Sequence, residues 1–327
     1  MGVGTAAGEF LLEAKQRGVR FDRTVTIGRQ TIFVGPARWR AMLEQKGMWP
    51  SAISPAAFRD GFQATPGFLD PVLRALGADR LDSVDASGYE GATIVHDLNT
   101  PVSPSLHRCF TLVYDGGTLE HIFNVPVALR SYMQMVEVGG HLIIQTMANN
   151  HFGHGFYQFS PDLFFRALSP SAGYEVERVV VLEHDVIGAS VMGVNVPLEK
   201  AGPWYEVADP ANIRSRVLLQ TKRPVLIQVQ ARRVADVPIF DAAPIQSDYT
   251  AAWSSPGETR VDNRSRARRL LGGLRRGAGS LIGPERQTRW RLDRAPRLLS
   301  PARAVVFRKE GRTRSLRNRR WYRRVHD

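Results

Sequence analysis

Apolar residues between positions 110 and 146 follow two different spacings. Phe110 to Tyr114 is a short apolar run, and from Leu119 to Val136 apolar side chains recur three and four positions apart. Gly139-Gly140 interrupts that spacing, and His141 to Thr146 is again a short apolar run. The pattern predicts a strand, a helix, a glycine turn and a second strand. Such a βαβ unit implies a parallel sheet covered by helices.

The same two spacings recur along most of the chain. Further strands are predicted at residues 23–28, 81–84, 93–96, 175–184 and 224–233, and further helices at 9–17, 36–45, 67–76 and 160–168. The helix at 160–168 has Ser160 at its N-cap position and Pro161 after it, a usual helix start. We therefore predict an α/β fold, a doubly wound and mostly parallel sheet with helices on both faces.

Small and acidic residues stand where the predicted strands end. Ligands of such sheets bind outside the carboxyl ends of the strands. Acids at strand ends also serve as turn or helix caps, which is the alternative for each of them. The residues at these positions are Gly28, Asp85, Asp97, Asp115, Gly116 and Gly117.

Three short motifs carry a resemblance to a known family. They are the acid-Gly-Gly strand end at Asp115, Leu119-Glu120-His121, and the turn Val138 to Leu142. Together they resemble the second half of class I S-adenosylmethionine-dependent methyltransferases. The resemblance implies a Rossmann-like fold and S-adenosylmethionine as cofactor. It covers residues 23–233 at the level of fold.

The resemblance also implies roles for the strand-end residues. Asp85 takes the position of the acid that binds the ribose hydroxyls, and Asp97 takes the position that meets the adenine. Gly28, Asp115, Gly116 and Gly117 complete the expected cofactor site. The sequence departs from the family at Gly28-Arg29-Gln30, where one glycine stands in place of a Gly-x-Gly loop. Side chains at Arg29 and Gln30 crowd the cofactor unless they point away.

The loop after the strand at 141–146 combines amides, histidines, glycines and aromatic residues between positions 147 and 159. Such groups suit a polar organic substrate. His154, His151 and His121 are the candidate bases for an acceptor hydroxyl, with His154 favoured because glycines flank it. Each also has a structural alternative as a cap or lining residue. No metal site is expected, because no third ligand follows His151 and His154 at a recognisable spacing.

Three functions stay open at this stage. The first is methyl transfer to a small polar acceptor such as a sugar. Many methyltransferases that act on amino groups of nucleic acids have an Asn/Asp-Pro-Pro-aromatic run at the position of Asp115, and its absence here favours a hydroxyl acceptor. The second is a non-catalytic binding protein with the same fold. The third is a binder of nucleic acid or an anionic surface. A dehydrogenase is disfavoured, because no G-x-G-x-x-G follows the first strand.

Composition divides the chain into two parts. Residues 1–257 hold 22 Lys and Arg against 25 Asp and Glu, whereas residues 258–327 hold 22 against 6. We expect an α/β domain at 1–257, with an aromatic-rich insertion at 31–66 that is either a lid or a satellite core. Residues 258–327 favour a disordered, Arg-rich extension able to contact a membrane surface or nucleic acid weakly.

Location is inferred from what the sequence lacks. A single cysteine excludes an internal disulfide, and the first residues lack the apolar stretch of a signal peptide. No apolar run reaches the length of a transmembrane helix. A cytoplasmic protein is therefore expected.

Overall fold

The computed structural model describes residues 2–184, 202–253 and 315–325. The strands of these residues are β1 (Gly2–Val3), β2 (Arg23–Ile27), β3 (Thr31–Ile32), β4 (Arg80–Asp85), β5 (Ile94–Val95), β6 (Phe110–Gly116), β7 (Val136–Met147), β8 (Tyr174–Glu183), β9 (Trp204–Val207), β10 (Val225–Arg233) and β11 (Tyr322–Arg324). Every strand predicted from the sequence is present.

The helices occupy the connections between the strands. They are α1 (Thr5–Gln16), α2 (Pro36–Gln45), α3 (Pro55–Ala64), α4 (Asp70–Ala75), α5 (Val125–Met135), α6 (Pro161–Ala167), α7 (Pro210–Ile213) and α8 (Ser247–Trp253). Single 3-10 turns lie at Pro104–Leu106, Leu119–His121 and Pro170–Ala172. None of the helices in the described residues is long and apolar enough to span a membrane.

Nine strands of the described residues form the main sheet, in the order β11-β9-β8-β10-β7-β6-β2-β4-β5. The strands from β5 to β7 are mutually parallel, and β10 runs antiparallel between β7 and β8. Strand β2 lies between β4 and β6, so the chain leaves it in one direction and later returns to its other side. This reversal is the switch point of a doubly wound sheet, as the sequence predicts.

Each face of the sheet is covered by its own set of helices. One apolar core joins Leu129 of α5 and Phe164 of α6 to the sheet, and the other joins Leu11 of α1 and Leu73 of α4 to it. The two cores confirm the prediction of helices on both faces.

The insertion at 31–66 belongs to the second core. Trp39 of α2 has no exposed surface, and a Cβ added at Gly8 of α1 lies 2.5 Å from its ring. Phe58 of α3 is also buried, with Trp49 and Phe62 packed around it. These contacts make the insertion a satellite core, which was one of its two expected roles.

Two boundaries in the central βαβ unit differ from the prediction. Helix α5 begins at Val125 and not at Leu119, because Pro126 lacks an N–H and therefore occupies the first turn of a helix. Gly139-Gly140 does not separate helix from strand. Both glycines lie inside β7, where the register with β6 shifts between Phe110 and Leu112, and Gly139 takes a φ of +85° there.

The last described residues also depart from the sequence-based division. Residues 315–325 were expected in the extension, yet β11 pairs with β9 at the edge of the sheet. Tyr322 is 3% exposed and packs on the core, and Arg323 forms an ion pair with Glu206. An aromatic side chain facing the sheet and a charged neighbour facing the solvent explain this docking. Most of the predicted extension, residues 258–314, lies outside the described residues.

Candidate active site

The register of the strands brings the predicted cofactor residues to one edge of the sheet. Ile27 at the end of β2 pairs with Val84 on one side and with Asp115 on the other. The residues that follow at this edge are Gly28, Asp85, Gly116 and Gly117, with Asp97 just beyond β5.

The turn after β2 is held by backbone and side-chain hydrogen bonds. Gly28 has a φ of +69°, and its N–H donates to the Val84 carbonyl at 2.7 Å. The Arg29 guanidinium donates to Asp70 Oδ1 at 3.1 Å and to the Glu90 carbonyl at 3.0 Å. Arg29 is therefore committed to protein partners on the α4 side of the turn.

The second long side chain of this turn is buried beside β6. Gln30 is 1% exposed, and its amide donates to the Ile27 carbonyl and, at 3.3 Å, to the Gly28 carbonyl. A Cβ at Gly116 lies only 2.3 Å from Gln30 Oε1 and 3.0 Å from the Tyr114 hydroxyl. Glycine at position 116 is thus required by the packing of Gln30.

Asp85 and Asp97 both form local turns and both retain an open oxygen. Oδ1 of half-buried Asp85 accepts from the Ser87 N–H at 3.1 Å. Oδ1 of exposed Asp97 accepts from the N–H and side-chain amide of Asn99, and these bonds lower the pKa of Asp97. Oδ2 of each carboxylate has no hydrogen bond to the described residues, which leaves it free for a ligand.

Asp115 has a different role from the other strand-end acids. It has no exposed surface, and its carboxylate accepts from the N–H groups of Gly117 at 2.9 Å, Thr118 at 2.6 Å and Leu119 at 3.0 Å. Burial raises its pKa to about 6, although those hydrogen bonds oppose the shift. Asp115 therefore caps its own turn, which was the structural alternative to ligand binding.

Glu120 is a second buried acid in the same turn. It has no exposed surface, and its Oε2 accepts from the Thr146 hydroxyl at 2.7 Å. Oε1 is buried and has no hydrogen-bond partner. Burial, and then the neighbouring charge of Asp115, raises the pKa of Glu120 to about 7.

Two histidines lie beside Glu120, and one of them faces its open oxygen. Nε2 of His154 lies 3.8 Å from Oε1, and the rings of His154 and His121 are 5.1 Å apart. One ligand atom from each of Glu120, His121 and His154 falls within 4.8 Å of the other two. We call these three residues the Glu-His-His cluster. Burial lowers the pKa of both histidines, so both imidazoles are neutral at pH 7.

The loop that carries His154 is fastened to Glu120 through the backbone. The N–H groups of Phe156 and Tyr157 donate to the Glu120 carbonyl at 2.7 and 3.2 Å. Gly155 has a φ of +71°, and a Cβ there lies 2.7 Å from the same carbonyl. These contacts hold His154 above Glu120.

His151 lies beside the cluster, with its ring 5.9 Å from that of His154, but it pairs with a histidine outside the cluster. Its Nε2 lies 3.0 Å from Nε2 of His184, and the two rings stack at 5.0 Å. Burial lowers its pKa to about 4, against a hydrogen bond with the Val225 backbone. His151 therefore anchors the loop to the neighbouring strands, whereas His121 and His154 remain together.

Exposed aromatic residues stand within two positions of His121 and His154 along the chain. Phe123 is 72% exposed, Phe156 is 69% exposed and Phe152 is 98% exposed. The rings of Phe123 and Phe156 contact each other edge to face at 6.1 Å. A cleft of about 300 Å³ at the end of β7, lined in part by Asn149 and Gln158, adjoins the same loop.

Sequence reasoning missed two members of this region. Glu120 was read as part of a motif, and its spacing gave no sign that it meets a loop more than thirty residues later. His184 ends a predicted strand. It meets His151 because β10 lies between β7 and β8 in the sheet, and the residues that follow β7 and β8 therefore lie close together. The motif Leu119-Glu120-His121 was the available signal for Glu120.

Comparisons with known proteins return solved structures alone. No family model and no curated protein matches the chain. A methyltransferase from Mesorhizobium loti aligns at 16% identity and a TM-score of 0.37, covering 69% of this chain and 98% of that one. The 16S rRNA (adenine(1408)-N(1))-methyltransferase from Catenulisporales acidiphilia aligns at 14% and 0.33, covering 69% and 94%. A methyltransferase from Thermotoga maritima aligns at 15% and 0.30, covering 67% and 86%.

The fold is assigned from the strand order of the chain itself. Strand β2 lies at the switch point, β10 runs antiparallel beside β7, and the strand-end acids share one edge. This topology gives the chain the Rossmann-like fold of class I S-adenosylmethionine-dependent methyltransferases.

Proposed function

We propose that the protein is an S-adenosylmethionine-dependent methyltransferase that methylates a hydroxyl of a small polar organic molecule. The observation that carries the proposal is a juxtaposition at one sheet edge. Open carboxylate oxygens of Asp85 and Asp97 lie on one side of the switch point, and the Glu-His-His cluster lies on the other. A cofactor site and an acceptor site at this edge are what transfer between two bound molecules requires.

The residues at the edge fit the cofactor. The long side chains of Arg29 and Gln30 are held by Asp70, Glu90 and their own turn, so they do not compete for the open oxygen of Asp85. Asp85 is suited to the ribose hydroxyls and Asp97 to the adenine, with backbone of Gly28, Gly116 and Gly117 between. Bound S-adenosylmethionine supplies a methyl group on an activated sulfonium. Asp115 is left out, because its carboxylate is occupied by three N–H groups.

The surroundings of the cluster suit an acceptor with flat apolar faces and hydroxyl groups. Phe123, Phe152 and Phe156 are exposed beside it, and exposed aromatic groups next to polar ones are typical of ligand sites. A sugar presents both kinds of surface. The neutral imidazoles of His121 and His154 offer nitrogen lone pairs toward such a hydroxyl.

The cofactor half of the proposal is tested at Asp85. Asp85→Ala should weaken S-adenosylmethionine binding by about 1.5–3 kcal/mol, because hydrogen bonds to a charged group are lost. Titration calorimetry with S-adenosylmethionine and S-adenosylhomocysteine measures the change. Asp79→Ala is the matched control, since Asp79 is exposed and precedes β4 at the opposite end of the same strand.

Two outcomes contradict the proposal in different ways. Equal cofactor affinity in wild type and Asp85→Ala removes Asp85 from the ribose site. No binding of either cofactor form to a folded wild-type chain instead favours a non-catalytic binding protein with the methyltransferase fold.

A further inference from the structure

We propose that the Glu-His-His cluster, Glu120 with His121 and His154, binds a divalent metal cation. The site deepens the proposed function, on which its role toward the acceptor rests. With a cation bound, the lone pairs of His121 and His154 are used by the cation, and the cation in place of the histidines would bind an oxygen atom of the acceptor. Cation binding itself does not depend on that function.

The geometry is close to that of a bound ion. Nitrogen and carboxylate ligands lie about 2.0–2.2 Å from a metal, so two ligand atoms of one tetrahedral ion are about 3.3–3.6 Å apart. In the cluster all three ligand atoms lie within 4.8 Å, and Glu120 Oε1 is 3.8 Å from His154 Nε2. Side-chain rotations that bring the ligand atoms about 1 Å closer together give the separations of a tetrahedral ion.

The unpartnered oxygen of Glu120 points independently to a cation. A buried carboxylate oxygen without a hydrogen bond is costly, and an ion is one of the few groups that offsets that cost. Oε1 is such an atom, and it faces His154. Asp115, five residues earlier, has hydrogen bonds to both of its oxygens. The open oxygen is therefore specific to Glu120 and not to buried acids of this turn in general.

The groups around the cluster hold the ligands in position. The Thr146 hydroxyl binds Oε2 of Glu120, which fixes the carboxylate with Oε1 toward the histidines. The Phe156 N–H and the absence of a Cβ at Gly155 hold the His154 loop against Glu120. Such supporting contacts orient ligands in metal sites.

The ligand set selects the kind of cation. Two imidazoles and one carboxylate suit Zn²⁺, Mn²⁺ or Fe²⁺ better than Mg²⁺ or Ca²⁺, which prefer oxygen. Three protein ligands leave at least one position open for water or an acceptor oxygen. His154 has 47% of its side chain exposed, so the open side of the cluster faces the solvent.

The test is cation titration of the tag-free, full-length chain after treatment with a chelator. Calorimetry with Zn²⁺ and with Mn²⁺ should show one cation per wild-type chain. Glu120→Gln and His154→Ala should each weaken binding by at least about 100-fold, since each removes a ligand. His96→Ala and Glu175→Gln are the controls, because His96 bonds to the Thr100 carbonyl and Glu175 is exposed at the start of β8.

The proposal fails if the folded wild type binds neither cation, or if both ligand variants bind as wild type does. S-adenosylmethionine binding is measured on the same samples. Cofactor binding without cation binding contradicts the metal site alone. Cation binding without cofactor binding supports the metal site and contradicts the methyltransferase proposal.

Discussion

Two buried acids at the end of β6 have the same burial and opposite surroundings. Asp115 and Glu120 are both fully buried and five residues apart. Three N–H groups of one turn converge on Asp115, whereas Glu120 receives a single hydroxyl and keeps one oxygen unpaired. The first arrangement is complete within the protein. The second is complete only when something else supplies a positive charge or a donor.

The difference separates a structural acid from a functional one. Buried polar groups in proteins are nearly always satisfied, so a satisfied acid is explained by the fold alone. Asp115 organises the turn that precedes the Glu-His-His cluster. Glu120 supplies the carboxylate oxygen of that cluster that has no hydrogen-bond partner. Judged by burial alone, Asp115 and Glu120 would be assigned the same role.

The largest effect is expected when the structural acid is removed. Asp115→Ala should lower the free energy of unfolding by about 3–5 kcal/mol, because three N–H groups of the turn lose their acceptor. Glu120→Gln should not lower it and should raise it by about 2–3 kcal/mol at pH 7, since Oε1 has no partner to lose and burial raises the pKa of the Glu120 carboxyl to about 7. Urea denaturation at pH 7 measures both.

A third variant serves as the control for this comparison. Asp115→Asn keeps an acceptor oxygen at the same place and should fall between the two. If Glu120→Gln destabilises the protein as much as Asp115→Ala, the open oxygen has a protein partner and the contrast between the acids disappears.

A smaller effect concerns the pH dependence of stability. The pKa of Asp115 is about 6 in the folded protein against 3.8 as its ordinary value. The folded state thus binds the proton more tightly, and stability from this group is complete below about pH 4. It is lost as pH rises to about 6, a change of about 2–3 kcal/mol.

The contribution of Asp115 to the pH dependence is isolated by comparing the wild type with a variant that cannot titrate at this position. The difference in free energy of unfolding between wild type and Asp115→Asn, measured by denaturation from pH 4 to 7, should fall as pH rises and then level off. A difference that rises with pH would mean that the three N–H groups outweigh burial and that the pKa of Asp115 is lowered.

The fold was accessible from the sequence because its signals are local. Strands β2, β4, β6 and β10 are short apolar or β-branched runs, and each was predicted within two residues of its observed bounds. The errors arose where a local signal had two meanings. Gly139-Gly140 is a usual helix stop, yet here it allows a bulge within β7, and tertiary pairing with β6 decides between the two.

The candidate site was accessible only in part. Strand order alone placed Asp85 and Asp97 at the ligand edge. The contrast between Asp115 and Glu120 was not readable, because it depends on which N–H groups and hydroxyls converge in space. The grouping of Glu120 with His121 and His154 was not readable for the same reason, since backbone hydrogen bonds of the loop bring His154 to Glu120.

The smallest predicted effect comes from the one hydrogen bond that Glu120 does have. Thr146 has no exposed surface, and its hydroxyl donates to Oε2 at 2.7 Å. Thr146→Val keeps the shape of the side chain but removes the donor, and should lower the free energy of unfolding by about 1.5 kcal/mol.

Thr146→Ser separates this bond from simple packing, because it keeps the hydroxyl and loses only a methyl group. In the Glu120→Gln background the cost of Thr146→Val should be smaller by about 0.5–1 kcal/mol, since the acceptor is then neutral. Cation affinity should fall about tenfold in Thr146→Val and stay near wild type in Thr146→Ser, because the hydroxyl aims the carboxylate at the histidines. If Thr146→Val lowers stability while cation affinity is unchanged, the hydroxyl supports the core without orienting Glu120, and the open oxygen is set by the backbone turn around Asp115.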